Sequence, residues 1–192
     1  MSGCAERPAA GRRLYGADEI GAAVARLARE IAQAYRRQPL VLLGVLKGAL
    51  YFTVDLARAL AGVADGPSEI FVDYLCVSSY KGMESIGDVR LLLDEATPLE
   101  GRHVLIVEDI ADNGFTLGYL QTLLSDRRPA SLRTCALFDK PSRRRVQVCL
   151  DYVGLTVPNT FAVGYGLDYQ ERYRNLPYLA ELEIQESQRE LT

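Results

Sequence analysis

Between Asp18 and Arg36 the apolar residues Ile20, Val24, Leu27, Ile31 and Tyr35 recur at spacings of four, three, four and four, which sets them on one face of a helix. The next apolar run, Leu40 to Leu46, has no polar alternation and predicts a strand buried on both sides, as in a parallel sheet. Lys47 and Gly48 end that run, and a second helical pattern extends from about Ala49 to Leu60. Ile70 to Val77 predicts another strand. The segment after it, SSYKGMESIGD, is polar, carries glycines and is long enough to act as a lid, with Val89 to Leu93 as the returning arm of a hairpin. Later strands are expected near Val104, at Leu132 to Phe138, at Tyr152 to Val157 and at Phe161 to Val163. Leu117, Leu120, Leu123 and Leu124 mark the buried face of the helix that crosses between the first two of these.

Strands alternating with helices predict an α/β fold with a mostly parallel central sheet and a ligand crevice at the carboxyl ends of its strands. Three chemically unusual spots close predicted strands: Lys47-Gly48, Glu108-Asp109 and Asp139-Lys140. The chain's 192 residues, 48% hydrophobic, suit a single domain over 1–192 with a small appended lobe. A net charge of −3 speaks against a nucleic-acid partner, and Arg143, Arg144 and Arg145 read as a solvated turn. Cys4, Cys76, Cys135 and Cys149 lack metal-ligand spacing, and the last three sit in apolar runs that predict reduced, buried thiols. With no signal-like start and no apolar run near the roughly 20 residues of a membrane helix, the expectation is a cytoplasmic protein that avoids membranes. The single histidine, His103, begins a strand and is expected at the surface. Proton transfer then falls to carboxylates, lysine or tyrosine.

Residues Val104 to Thr116, VLIVEDIADNGFT, carry the most chemistry. A strand that turns through a tight loop into a helix N-terminus offers unpaired N–H groups and a positive dipole end to an anion. Glu108, Asp109 and Asp112 would repel a bare phosphate, so a sugar or a cation must stand between, and a ribose phosphate with magnesium satisfies both demands. As neighbours on a strand, Glu108 and Asp109 are expected to point to opposite faces, poorly placed to share a proton. By position alone Asp112 is a helix N-cap.

This segment resembles the phosphoribosyl-diphosphate loop of the type I phosphoribosyltransferases, and VEDIADNGFTL is most similar to the hypoxanthine-guanine branch. The C-terminal FAVGYGLDYQERYRNLPY, Phe161 to Tyr178, resembles the purine and metal loop of that family almost position by position. The resemblance spans about Tyr15 to Leu182. It implies the type I fold, with a hood built from the N- and C-terminal segments, a flexible flap, and about 14 disordered residues at the start.

By the same resemblance, Glu108 and Asp109 bind the ribose diol and contribute to magnesium, Asp112 is the acid/base at purine N7, and Asn113, Gly114, Phe115 and Thr116 hold the 5′-phosphate. Lys47 and Gly48 match a Leu-Lys-Gly turn, often with a cis peptide, that meets pyrophosphate together with Arg174. Ser79 and Tyr80 match the Ser-Tyr pair of the flap. Lys140, in FDKPSRR, matches the lysine at the purine 6-oxygen; Phe161 stacks on the base, Ala162 meets its 2-position edge by main chain, and Asp168 lies beside the base as a magnesium ligand. An ammonium has only donors, so it favours a 6-oxo over a 6-amino purine.

Asn113 stands where the family usually has serine or threonine, and Phe115 where the residue is often basic, aliphatic or polar. The implied reaction moves the 5-phosphoribosyl group from phosphoribosyl diphosphate to N9 of hypoxanthine or guanine, with magnesium, in a homodimer or homotetramer. Two alternatives stay open: a catalytically weak nucleotide-binding regulator on this fold, and a xanthine or pyrimidine phosphoribosyltransferase.

Overall fold

Strand β1 (Ala10–Tyr15) leads into α1 (Ala17–Ala34). All five residues of the predicted helical face are buried, while Asp18 and Glu19 occupy the first turn, where the helix dipole favours negative charge. Next come β2 (Pro39–Leu46), α2 (Leu50–Ala61), β3 (Glu69–Ser79), β4 (Val89–Leu93), β5 (His103–Ala111) and α3 (Phe115–Ser125). The chain continues through β6 (Ser131–Asp139), a single 3-10 turn at Pro141–Arg143, β7 (Tyr152–Thr156), β8 (Ala162–Val163) and β9 (Leu179–Leu182). The structure is a computed structural model that describes residues 10–79 and 89–182.

Six strands form one sheet in the order β4-β3-β2-β5-β6-β7. All neighbours run parallel except the hairpin of β3 with β4. Alternation along β2 explains why its whole sequence is apolar: Leu40 and Leu42 pack beneath α1 and α2, whereas Val41, Leu43 and Val45 pack on the opposite face with Leu117, Leu120 and Leu124 of α3. Truncating one such wholly buried leucine typically costs about 2–5 kcal/mol.

From β2 the chain steps to β3 on one side and later returns to β5 on the other. The connections leaving β2 and β5 therefore part company above the sheet, which opens a crevice at their carboxyl ends. A second, antiparallel sheet of order β1-β9-β8 forms the hood, pairing Ala10 with Leu182 and Ala162 with Glu181.

Several expectations are corrected. Disorder was expected over about the first 14 residues, yet β1 begins at Ala10; residues 1–9 lie outside the described residues. Tyr80, which the resemblance assigns to the flap, also lies outside them, and Ser79 is the last residue of β3, opposite Val89. His103 is half-buried, with Nδ1 2.8 Å from Ser131 Oγ and its ring edge-on to Tyr35. Of the thiols, Cys135 is buried, Cys76 half-buried and Cys149 exposed, because β7 starts only at Tyr152 and leaves Cys149 on the connecting segment.

Candidate active site

Strands β2, β5 and β6 lie side by side and parallel, so Lys47-Gly48, Glu108-Asp109 and Asp139-Lys140 come together, although β5 runs on to Ala111 and Glu108-Asp109 lie inside it rather than closing it. The Leu46–Lys47 peptide is cis. A side chain on Gly48 would overlap the carboxylate of Asp109, so only glycine lets the turn after β2 come this close to β5.

Glu108 and Asp109 are both buried. Glu108 lines a cleft of about 200 Å³ with Asn113, Gly114 and Thr116, whereas Asp109 lines an adjoining cleft of about 220 Å³ with Lys140, Phe161 and Asp168. The predicted alternation holds to that extent. Burial raises the pKa of Glu108 well above the usual carboxylate range, and the charge and hydrogen bond of Asp109 add to the rise. Burial also raises Asp109, against the bonds from Glu108 and the Ile110 N–H and the attraction of Arg174. Enclosure of two carboxylates side by side thus disfavours the charged form of both.

The loop after β5 shows what Asn113 contributes. Its Oδ1 accepts the Phe115 N–H at 2.9 Å, and its carbonyl accepts the N–H groups of Arg145 and Val146 at 2.9 and 3.0 Å. The N-cap of α3 is Gly114, at φ +91°, and a Cβ there would strike the Val146 carbonyl. Asp112 is therefore not the cap. It lies at the junction of the two clefts and lines both, with Oδ1 3.3 Å from Arg143 Nε.

Across from Asp112, Lys140 is 4% exposed and its Nζ donates to the Thr160 carbonyl at 2.6 Å. Desolvation lowers its pKa, opposed by Asp112 and reinforced by Arg143. Phe161 keeps 40% of its surface exposed, its ring set perpendicular to Tyr169 at 5.7 Å. Its carbonyl accepts the Leu182 N–H at 2.7 Å, so hood strand β9 anchors the backbone that carries the ring. Ala162 is buried and lines the same cleft.

In the turn after β8, Asp168 Oδ1 pairs with Arg174 Nη2 at 2.7 Å, and Oδ2 accepts the Glu171 N–H at 2.8 Å. Arg174 also donates to the Gly166 carbonyl at 2.8 Å. Lys47 Nζ meets Glu171 Oε2 at 3.0 Å, which joins the turn after β2 to this loop. Among the described residues no three His, Cys, Asp or Glu side chains converge as a metal cage. A hard cation here would rely on one or two carboxylates completed by ligand oxygens and water, and the oxygen-only donors Asp168, Glu108 and Asp109 fit that mode. Glu108 Oε2 is buried and without a hydrogen-bond partner, consistent with an acceptor left for a ligand.

Two residues escaped the sequence. Arg143 was assigned to a solvated turn, but it lines the cleft beside Asp112; its position three residues beyond Lys140, where the 3-10 turn folds back, was the available signal. Glu171, midway between Asp168 and Arg174, drew no attention because acids in turns are common.

The phosphoribosyl transferase domain family matches residues 13–170. The hypoxanthine-guanine phosphoribosyltransferase of Leishmania donovani is 46% identical over 176 residues, 88% of this chain and 82% of that one. The hypoxanthine phosphoribosyltransferase of Escherichia coli K12 is 42% identical over 167 residues, 85% and 90% of the two chains. Among solved structures, the hypoxanthine phosphoribosyl transferase of Trypanosoma cruzi, studied for the role of its C-terminal region in oligomeric state and activity, matches with a TM-score of 0.85 at 43% identity over 93% of this chain and 94% of that one.

Proposed function

The chain belongs to the phosphoribosyl transferase domain family, and from that premise we propose that it is a purine-salvage enzyme that joins the 5-phosphoribosyl group of phosphoribosyl diphosphate to N9 of hypoxanthine or guanine and releases pyrophosphate. The observation that carries this reading is one cleft lined by Asp112, Lys140 and Phe161 beside a second cleft at the start of α3. A base in the first and a sugar phosphate in the second would meet at Asp112.

By this reading the base lies on the exposed face of Phe161. The Lys140 ammonium donates to its 6-oxygen, and the main chain at Ala162 faces its 2-position. A 6-amino group would place donor against donor, at a cost on the order of 1 to 3 kcal/mol for the mispaired groups. As N9 bonds to C1′ and the bond from C1′ to diphosphate breaks, the Asp112 carboxylate accepts the N7 proton; in the reverse direction it returns that proton. The Glu108–Asp109 pair accepts hydrogen bonds from the ribose diol. The first turn of α3 binds the 5′-phosphate through N–H groups of Gly114 and Thr116, with Phe115's N–H already held by Asn113.

Lys47 and Arg174 bind the diphosphate. Asp168, with Glu108 and Asp109 on the sugar side, would hold magnesium, which supplies positive charge to the departing pyrophosphate. Ser79, the last residue of β3, would lead into the flap that the family resemblance implies, and Tyr80 lies outside the described residues.

The free cysteines Cys76, Cys135 and Cys149 suit the reducing cytoplasm. Among the described residues no helix is long and apolar enough to cross a membrane. Leu50 and Tyr51 on α2 and Phe71 and Val72 on β3 are exposed apolar residues, and they support assembly into a homodimer or homotetramer, readable by light scattering. The activity itself is tested by mixing purified protein, phosphoribosyl diphosphate, magnesium and hypoxanthine or guanine. Formation of inosine or guanosine monophosphate is expected, and no nucleotide with either base would reject the reading.

A further inference from the structure

Glu171 touches both cations to which the preceding reading assigns the diphosphate. Its Oε2 is 3.0 Å from Lys47 Nζ, at the end of β2, and its Oε1 is 3.5 Å from Arg174 Nη2. Its contact with Lys47 joins residues 124 apart in the chain. The spacing of its oxygens, one per cation, imitates in small the way a diphosphate would use the same pair.

We propose that Glu171 is an internal competitor of pyrophosphate: its carboxylate engages Lys47 and Arg174, the diphosphate of the donor displaces it, and its return to the two cations assists the departure of product. The inference rests on the assignment of Lys47 and Arg174 as diphosphate ligands and adds a residue to that site.

The surroundings suit exchange rather than permanent locking. The Lys47 and Glu171 side chains are both 63% exposed, so water and salt screen their attraction and the pair is worth little. A diphosphate brings more charge and more oxygens to the same cations and prevails. The backbone of Glu171 is fixed by its N–H bond to Asp168 Oδ2, so only the side chain need swing aside, and a cleft of about 360 Å³ lined by Glu171 to Asn175 gives it room. Arg174 keeps its bonds to Asp168 and the Gly166 carbonyl when Glu171 leaves, so displacement frees Lys47 without disordering the arginine.

The roles of competitor, structural brace and binding carboxylate predict different signs for Glu171→Gln. Calorimetry with magnesium and inorganic pyrophosphate, together with donor and hypoxanthine KM values, separates them. The competitor role predicts that pyrophosphate Kd and donor KM both fall roughly two- to five-fold, the scale of an exposed ion pair. Hypoxanthine KM should stay constant and the gain should shrink in high salt. Unchanged or weaker pyrophosphate binding by Glu171→Gln, in a variant whose melting temperature matches the parent's, overturns the proposal. A parent protein that forms no nucleotide and binds no pyrophosphate would instead reject the functional reading beneath it.

Discussion

Asp112 Oδ1 lies 3.3 Å from Arg143 Nε, so the carboxylate at the junction of the two clefts is held by an arginine from the turn that follows Lys140. Both side chains are partly exposed, 34% and 48%, which limits the strength of the pair. Its consequence is a fixed orientation of the carboxylate within the cleft. Arg143→Gln should therefore lower kcat/KM for the base by up to about fivefold while donor KM holds. Steady-state kinetics with each substrate varied in turn would read this, and an unchanged kcat/KM would remove Arg143 from the site.

Asp112→Asn keeps shape and loses the proton acceptor. Turnover should drop by about 10² or more, the usual scale for general acid/base loss, with donor affinity retained. Since Gly114 rather than Asp112 caps α3, the melting temperature should barely move. Retained turnover would end the acid/base assignment.

Gly48→Ala forces a methyl group into the Asp109 carboxylate. The shift of that carboxylate should cost turnover on the order of 10²-fold, as small misplacements in active sites do. The same kinetic assay would show it, and a fully active variant would mean that Asp109 can move without consequence.

Asp73 on β3 accepts the N–H groups of Tyr74, Ala96 and Thr97 at 2.7, 2.9 and 2.7 Å, tying the segment after β4 back to β3. Burial pushes its pKa up, but the Thr97 side-chain hydrogen bond and these three backbone bonds together outweigh burial and hold it below the usual aspartate value of 3.8. A depressed folded pKa contributes stability that is fully present above the unfolded value and is lost as pH falls through the folded one. Asp73→Asn should thus melt lower than the parent at pH 7, with the gap closing below about pH 4. Thermal melts across that range test the sign; a gap that widened in acid would contradict it.

Much of this arrangement was legible in the chain because it is local. The α1 face, the doubly buried β2 and the polar closures of β2, β5 and β6 depend on residues adjacent in sequence. The type I fold and its hood came from resemblance, but strands β1 and β9 were not located. Their residues pair across nearly the whole chain, Ala10 with Leu182, and neither AGRRLY nor LAEL alternates cleanly. Arg143 and Glu171 were hidden because an ion pair between a turn and a distant strand end leaves no periodic trace.

Lys140 is a nearly buried ammonium set opposite Asp112 in the cleft with Phe161, where it would choose the base. The decisive measurement is nucleotide formation from an equimolar panel of hypoxanthine, guanine, xanthine, adenine and uracil, run with the parent and with Lys140→Met. The parent should convert hypoxanthine or guanine ahead of adenine by roughly 5- to 150-fold, the equivalent of 1 to 3 kcal/mol for one mispaired contact, and Lys140→Met should lose most of that margin. A parent that prefers adenine or uracil, or a Lys140→Met variant with undiminished selectivity, would contradict the account.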